Sequence, residues 1–300
     1  MLLLALFRKP AFWFIVCPLF AGALIYWFTF NKEPNPSQQH TNLTLDESVN
    51  VHHKQSDNVS LYLPIPDQGH GQMIADLRNA LDQAQLSFIK IKTAEHWIQY
   101  QQAIHDGKPG VYFTAPHYAA WLIHKGQFRP LLRLAKPIKF VIAVERAKTN
   151  FFEIDDLANR QICTQRALNL DYLLVNSVFQ NRLLSASEKQ VWSVVDEMRD
   201  KTAACDAYAI SDHSFLMLER EQPNEFVRLQ QGKPYSNYVF IAHPTINIEL
   251  TNKLRRVLLA KPTLKILTPL YAIYTDQRKL VDAKTKDYPP SYADILKQFW

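Results

Sequence analysis

From residue 60 onward, short apolar runs rich in β-branched and aromatic residues alternate with stretches in which apolar side chains recur every three or four positions. The first pattern predicts strands and the second predicts helices. Strands are expected at 60–65, 87–91, 111–114 and 131–134. A helix carrying Met73, Ile74, Leu77, Leu81 and Ala84 separates the first two. A second, over 94–105, turns Trp97, Ile98 and Ile104 inward and stops at Asp106-Gly107. A third opens at Pro116, where a missing N–H costs nothing because the first helical turn leaves it unpaired.

A second round begins with the apolar run at 139–144. A short helix over 151–160 leads to a strand at 161–163, and Thr164-Gln165-Arg166 opens a helix bearing Leu168, Tyr172, Leu173, Val175 and Phe179. A strand at 191–194, a helix at 196–203 and a strand at 205–210 follow. Asp212-His213-Ser214 caps the next helix, which carries Phe215, Leu216 and Leu218. Strands at 226–229 and 238–242 precede an amphipathic helix over 248–259, with Leu250, Leu254, Val257 and Leu258 inward. Such alternation predicts an α/β protein with parallel-rich sheets covered by helices. The 238–242 strand is expected to return the chain to the first lobe. That divides the chain into one lobe of 59–138 with 243–300 and another of 139–242, joined by two crossings as a hinged clam.

The first thirty residues follow neither period. Arg8 and Lys9 precede residues 11–30, which carry no charge, and about 20 apolar residues suffice to span a bilayer. Tyr26, Trp27 and Phe28 sit near the far end, as an interfacial aromatic belt does. The cations before the span predict a cytoplasmic N-terminus with the remainder outside. A cleaved signal peptide is the alternative, since Ala21-Gly22-Ala23 has the small-x-small form, but the hydrophobic run continues past it. Residues 31–58, rich in Asn, Gln, Ser, His and Pro, read as a flexible linker.

Composition narrows the function. The chain has a net charge of +6, but its 34 Lys and Arg are dispersed rather than clustered. That suits small anions or an anionic membrane surface and argues against nucleic acid. Neither the adjacent His52 and His53 nor His117 and His124, seven apart, has useful metal-ligand spacing. There is no Gly-rich phosphate loop, nucleophile elbow or Cys-x-x-Cys pair. No enzyme, metal or cofactor is therefore expected. Cys163 and Cys205 fall on strands expected to be neighbours, and an extracytoplasmic location permits a disulfide. Two buried thiols are the alternative, should the pairing place them at opposite strand ends.

Phe113-Thr-Ala-Pro-His-Tyr118, Gly126-Gln-Phe-Arg-Pro-Leu131, the Phe140–Val144 crossing, Glu153-Ile-Asp-Asp-Leu-Ala-Asn-Arg-Gln-Ile-Cys163 and Cys205-Asp-Ala-Tyr208 followed by Asp212 together resemble the type 2 periplasmic solute-binding proteins. The branch most similar is the phosphate/phosphite/phosphonate receptors of ABC transporters, over roughly residues 60–260. The resemblance implies a bacterial inner-membrane protein whose soluble domain lies in the periplasm, binds a small oxyanion between its lobes and serves a membrane permease. Carried over by position, it places Thr114, His117, Tyr118, Thr164, Gln165, Arg166, Tyr208 and Asp212 at the ligand. Helix N-termini at two of these corners offer unpaired N–H groups suited to an oxyanion, and Arg166 would add a bidentate contact. The chain departs from the family in carrying Thr-Gln-Arg-Ala at 164–167, where Ser or Thr with Gly is usual, and in retaining a membrane span. These departures leave a second expectation open, an accessory or sensory subunit of a membrane complex built on the same fold.

Overall fold

The computed structural model describes residues 59–94, 97–148, 150–165, 169–181, 185–191, 193–200, 204–297 and 300. The expected span, linker, His52 and His53, and Arg166 lie outside them. Among the described residues no helix is long and apolar enough to cross a membrane.

The first half-lobe runs β1 (Val59–Leu63), α1 (Gly71–Gln83), β2 (Ile89–Thr93), α2 (Trp97–His105), β3 (Val111–Thr114), α3 (Pro116–Gly126) and β4 (Arg129–Leu134). The chain then crosses to β5 (Phe140–Glu145), a 3-10 turn (Ile154–Leu157), β6 (Gln161–Thr164), α4 (Leu170–Asn181), β7 (Ser187–Gln190), α5 (Val194–Asp200), β8 (Ala207–Ser211), α6 (Asp212–Glu221) and β9 (Phe226–Gln231). It returns through β10 (Val239–Ala242), α7 (Ile248–Leu259), α8 (Lys261–Ile266), α9 (Thr268–Ala272), β11 (Leu280–Asp282) and α10 (Pro290–Asp294).

Two sheets result, ordered β11-β4-β10-β3-β1-β2 and β7-β6-β8-β5-β9. Both are mixed rather than parallel-rich. β1 pairs parallel with β2 and β3, but β10 enters antiparallel between β3 and β4. β6 pairs parallel with β7 and β8, while β5 lies antiparallel to β8 and β9. β5 and β10, the strands that arrive from the other sheet, make antiparallel pairs on both sides, and β11 adds a further antiparallel pair with β4 at the edge of the first sheet.

Each sheet is buried on both faces, so its central strands are apolar throughout. In β3, Val111 and Phe113 join the core beneath α1 and α7, while Tyr112 points to the core beneath α2 and α3. In β5, Val141 and Ala143 face α5 and α6, whereas Ile142 and Val144 face α4 and the 3-10 turn. The period of two along each strand thus serves two cores at once.

Four local expectations are corrected. In α2 the inward residues are Tyr100, Ala103 and Ile104, whereas Ile98 is 78% exposed. The second strand begins at Ile89, two residues late, after a turn closed by Ile89 N–H on Leu86 C=O. The strand before α5 is Ser187–Gln190, with Val191 N–H making a last bond to β6 and Val194 starting the helix. The cap of α6 is the Ser211 hydroxyl, which accepts from Ser214 N–H at 3.1 Å; Asp212 is the first helical residue.

Cys163 and Cys205 are joined by a disulfide with Cα atoms 5.8 Å apart. Cys163 lies in β6 opposite Tyr208 of β8, and Cys205 lies in the segment that leads into β8. Closing a loop across a sequence separation of 42 is worth roughly 3–4 kcal/mol of unfolded-state entropy. Replacing both cysteines by alanine is expected to lower the urea-unfolding free energy by about that amount, and intact-mass analysis after non-reducing alkylation should find no free thiol at either position.

Gly110, immediately before β3, sits where its neighbours leave no room for a side chain. A Cβ there would lie 2.6 Å from the Tyr62 ring and 2.9 Å from the Ser60 carbonyl oxygen. Because Tyr62 is stacked on Tyr112 at 4.4 Å, the ring has no room to yield. Gly110→Ala is expected to destabilise by about 1–3 kcal/mol in the same urea assay.

Candidate functional site

The two crossings meet as a short antiparallel ladder. Ile138 and Tyr235 exchange both backbone hydrogen bonds, at 2.9 and 2.8 Å. Asn237, fully buried, completes the joint: its Nδ2 donates to Lys136 C=O at 2.8 Å and its Oδ1 accepts from Tyr238 N–H at 2.7 Å. The Tyr288 hydroxyl donates to the Asn237 carbonyl at 2.9 Å. These bonds satisfy polar groups that a bare pair of linkers would leave unpaired.

A cavity of about 290 Å³ opens against this hinge. One wall comes from the second sheet and its helices: Gln165, Asn169 and Asp171 at the entrance to α4, Val194 of α5, and Ser211 and Ser214 at the start of α6. The other comes from Tyr238, Ala272, Ile273 and Tyr274, with Ile138 and Phe140 of the crossing between them. The Tyr238 and Tyr274 rings are stacked at 3.6 Å. Beside the cavity His213 Nε2 lies 3.1 Å from the Ala272 carbonyl, so a neutral imidazole protonated there, or an imidazolium, ties α6 to α9.

Asp171 is the charged residue of this lining. It is buried in the first turn of α4. Its Oδ2 accepts from Gln165 N–H at 2.7 Å, and its carboxyl is also bonded by its own N–H and that of Tyr172. Desolvation outweighs these donors and pushes its pKa up to about 6. The N–H groups that a helix N-terminus would offer to an anion are therefore directed at the protein's own carboxylate.

The expected contact residues scatter. Gln165 lines the cavity. Thr164 ends β6 just behind it; its carbonyl accepts from Val191 N–H at 2.8 Å, and its hydroxyl is buried without a hydrogen-bond partner among the described residues. Thr114 is buried with its hydroxyl beside that of Tyr100. His117 and Tyr118 are also buried, their rings 4.0 Å apart. The Tyr118 hydroxyl accepts from Gln101 at 2.9 Å, and its ring stacks on Trp300. Tyr208 lies in the core of the second lobe and donates to Glu145 at 3.1 Å. Asp212 pairs with Arg228 at 2.7 Å and borders a neighbouring cavity of about 390 Å³ with Lys136, Lys139 and His213. His124 bonds the Tyr288 carbonyl at 2.8 Å. Among the described residues no group of His, Cys, Asp and Glu is placed to hold a metal ion.

Asp171, Tyr238 and Tyr274 were not expected at the site. Asn169-Leu170-Asp171 does carry a start signal, a capping-type residue followed by an acid in the first turn. It sits four to six residues beyond the corner chosen from the resemblance. The tyrosines gave no signal, since partners so distant in sequence meet only through the hinge.

A two-sheet α/β protein with two hinge crossings and a cavity between its halves has the architecture of the periplasmic binding proteins. The sequence model for the periplasmic substrate-binding protein of phosphonate ABC transporters matches residues 65–277, and the chain belongs to that family. Members of this family bind substrate for transporters and are not enzymes. No curated protein sequence matches the chain. Among solved structures, a Xanthomonas citri protein bound to chloride is similar at 16% identity and a TM-score of 0.65, covering 81% of this chain and 98% of its own. The Prochlorococcus marinus protein PhnD1 in complex with methylphosphonate is similar at 12% identity and a TM-score of 0.62, covering 80% and 97%. A binding-protein component of an ABC phosphonate transporter from Pseudomonas aeruginosa follows at 10% and 0.58, covering 77% and 82%. At such identities these likenesses speak to the fold.

The raised pKa of Asp171 is also a statement about stability. The folded state holds this proton up to about pH 6, whereas an unfolded aspartate releases it near 4. The stabilising contribution is complete below about 4 and lost as pH rises through about 6. Asp171→Asn removes it. The unfolding free energy of the wild type, relative to that of the variant, is expected to fall by about 2 kcal/mol between pH 4 and 7.5. Parallel pH profiles from urea titrations would contradict the assignment.

Proposed function

We propose that this chain is the solute receptor of an ABC-type transporter. Residues 11–30 hold it at the outer face of a bacterial inner membrane. The lobe built on the first sheet, to which β10 belongs, and the lobe built on the second sheet close on a small ligand that passes to a permease. The observation that carries this reading is the cavity against the hinge: its lining comes from both halves and from the crossing itself, so a change of hinge angle must change its volume. The His213–Ala272 contact supports it, as a bond between the helix that opens the second lobe's wall and the one opposite. Gln165 is the expected contact residue retained in this proposal, with Thr164 and Arg166 on the same corner.

A bare phosphate or phosphonate oxyanion at that corner would displace the Asp171 carboxylate or meet it face to face. That observation favours a second reading, an accessory or sensory subunit that uses the fold for protein contact.

Closure separates the two. Ile98 on α2 and Phe152 on the second lobe are 78% and 80% exposed, so both can be exchanged for spin-labelled cysteines in the full chain, with Cys17→Ser. The receptor reading expects the pulsed-EPR distance to shorten with at least one member of a panel of phosphate, phosphonates, amino acids and small amines. A distance unmoved by the whole panel favours the accessory subunit.

A further inference from the structure

The chemistry of the cleft points away from a free oxyanion. At α4, the N–H groups of Gln165, Asp171 and Tyr172 are committed to the Asp171 carboxyl. At α6, Ser214 N–H is committed to Ser211 Oγ at 3.1 Å and Asp212 N–H to the Lys139 carbonyl at 2.8 Å. Both helix entrances facing the cavity have spent donors that an anion would need. No Lys, Arg or His is among the described residues that line it. The nearby cations belong to the adjoining cavity beyond Ile138 and Tyr274, where Lys136 pairs with Asp276 at 3.0 Å and Asp212 with Arg228 at 2.7 Å. Lys139 and His213 also border that side, the latter turned to Ala272.

What remains around Asp171 is apolar and aromatic. Leu170, Val194 and Ile210 lie on its own side, with Tyr238, Ile273 and Tyr274 opposite. The tyrosines stack on one another and sit among Phe113 and Tyr100, with Lys136 and Lys139 in the adjoining cavity that Tyr274 also borders. A buried carboxylate facing aromatic rings, with no other charged residue among the described lining, is complementary to an organic cation: the charge finds a counter-ion, and the ring faces offer cation–π attraction. The volume, about 290 Å³, is at the small end of ligand pockets, which run from roughly 300 to 1,000 Å³.

Resting on the receptor reading, we propose that the cleft takes a small amine, whose ammonium group pairs with the Asp171 carboxylate while its apolar body lies against Tyr238, Tyr274 and Ile273. Binding replaces the desolvation of a lone buried acid with an ion pair. Selectivity against phosphate and simple phosphonates follows from like charge. Because only the ionised carboxylate pairs, and it titrates near 6, affinity is lost as pH falls through that value, by about tenfold between pH 7.5 and 5.0.

The test uses the full chain in mild detergent, with calorimetric titration of 2-phenylethylamine, its neutral isostere 2-phenylethanol, methylphosphonate and inorganic phosphate. The amine is expected to bind at least tenfold more tightly than the alcohol, to weaken about tenfold from pH 7.5 to 5.0, and to drop to the level of the alcohol in Asp171→Asn. The melting profile of that variant shows whether it is folded, and the pH series on the wild type stands independently of it. Equal binding of amine and alcohol, binding of methylphosphonate or phosphate without the amine, or no binding of the amine at millimolar concentration each overturns the inference. The spin-label distances keep the two failures apart. Closure on any non-amine leaves the receptor reading standing, and no closure on anything removes both.

Discussion

The two backbone hydrogen bonds between Ile138 and Tyr235 are the constraint on which the molecule turns. A chain that leaves one sheet and later returns must expose backbone twice in the gap between them, and exposed backbone near a core is costly unless paired. Pairing the outgoing crossing with the incoming one satisfies both segments. Asn237 and Tyr288 extend that satisfaction into the first lobe. The same pairing fixes where the halves face each other and therefore where a cavity forms.

Much of this was readable in the sequence because it depends on local patterning. Val111–Thr114, the proline-opened α3, Ile248–Leu259 and the return of 239–242 to the first sheet follow from period, propensity and turn chemistry. Where the expectation slipped, a tertiary effect decided. Ile98 looks inward by composition, but Tyr100, whose hydroxyl bonds the Phe113 carbonyl at 3.0 Å, claims the inner face of α2. The mixed character of the sheets was hidden because strand direction depends on the hinge.

The site was harder to read than the fold for the same reason. Thr114, His117, Tyr118 and Tyr208 are polar or aromatic residues at strand ends and helix starts, which is where ligands of α/β proteins gather. Here those side chains are buried, and the Tyr118 and Tyr208 hydroxyls are bonded internally. The lining instead draws on Asp171, which looked like an ordinary first-turn acid, and on Tyr238 and Tyr274, which are distant in sequence. Family membership speaks for a binding protein. The particular solute is a matter of which side chains face inward, and a single carboxylate changes that answer.

The disulfide has a mechanical meaning. Cys163 immediately precedes the Thr164-Gln165 corner, and Cys205 precedes β8, so the bond turns the chain that builds α4, β7 and α5 into a closed covalent ring. The wall that presents Asp171 is thereby a clamped plate whose two ends cannot drift apart. In the closure proposed above, this wall would therefore move as one piece rather than unravel.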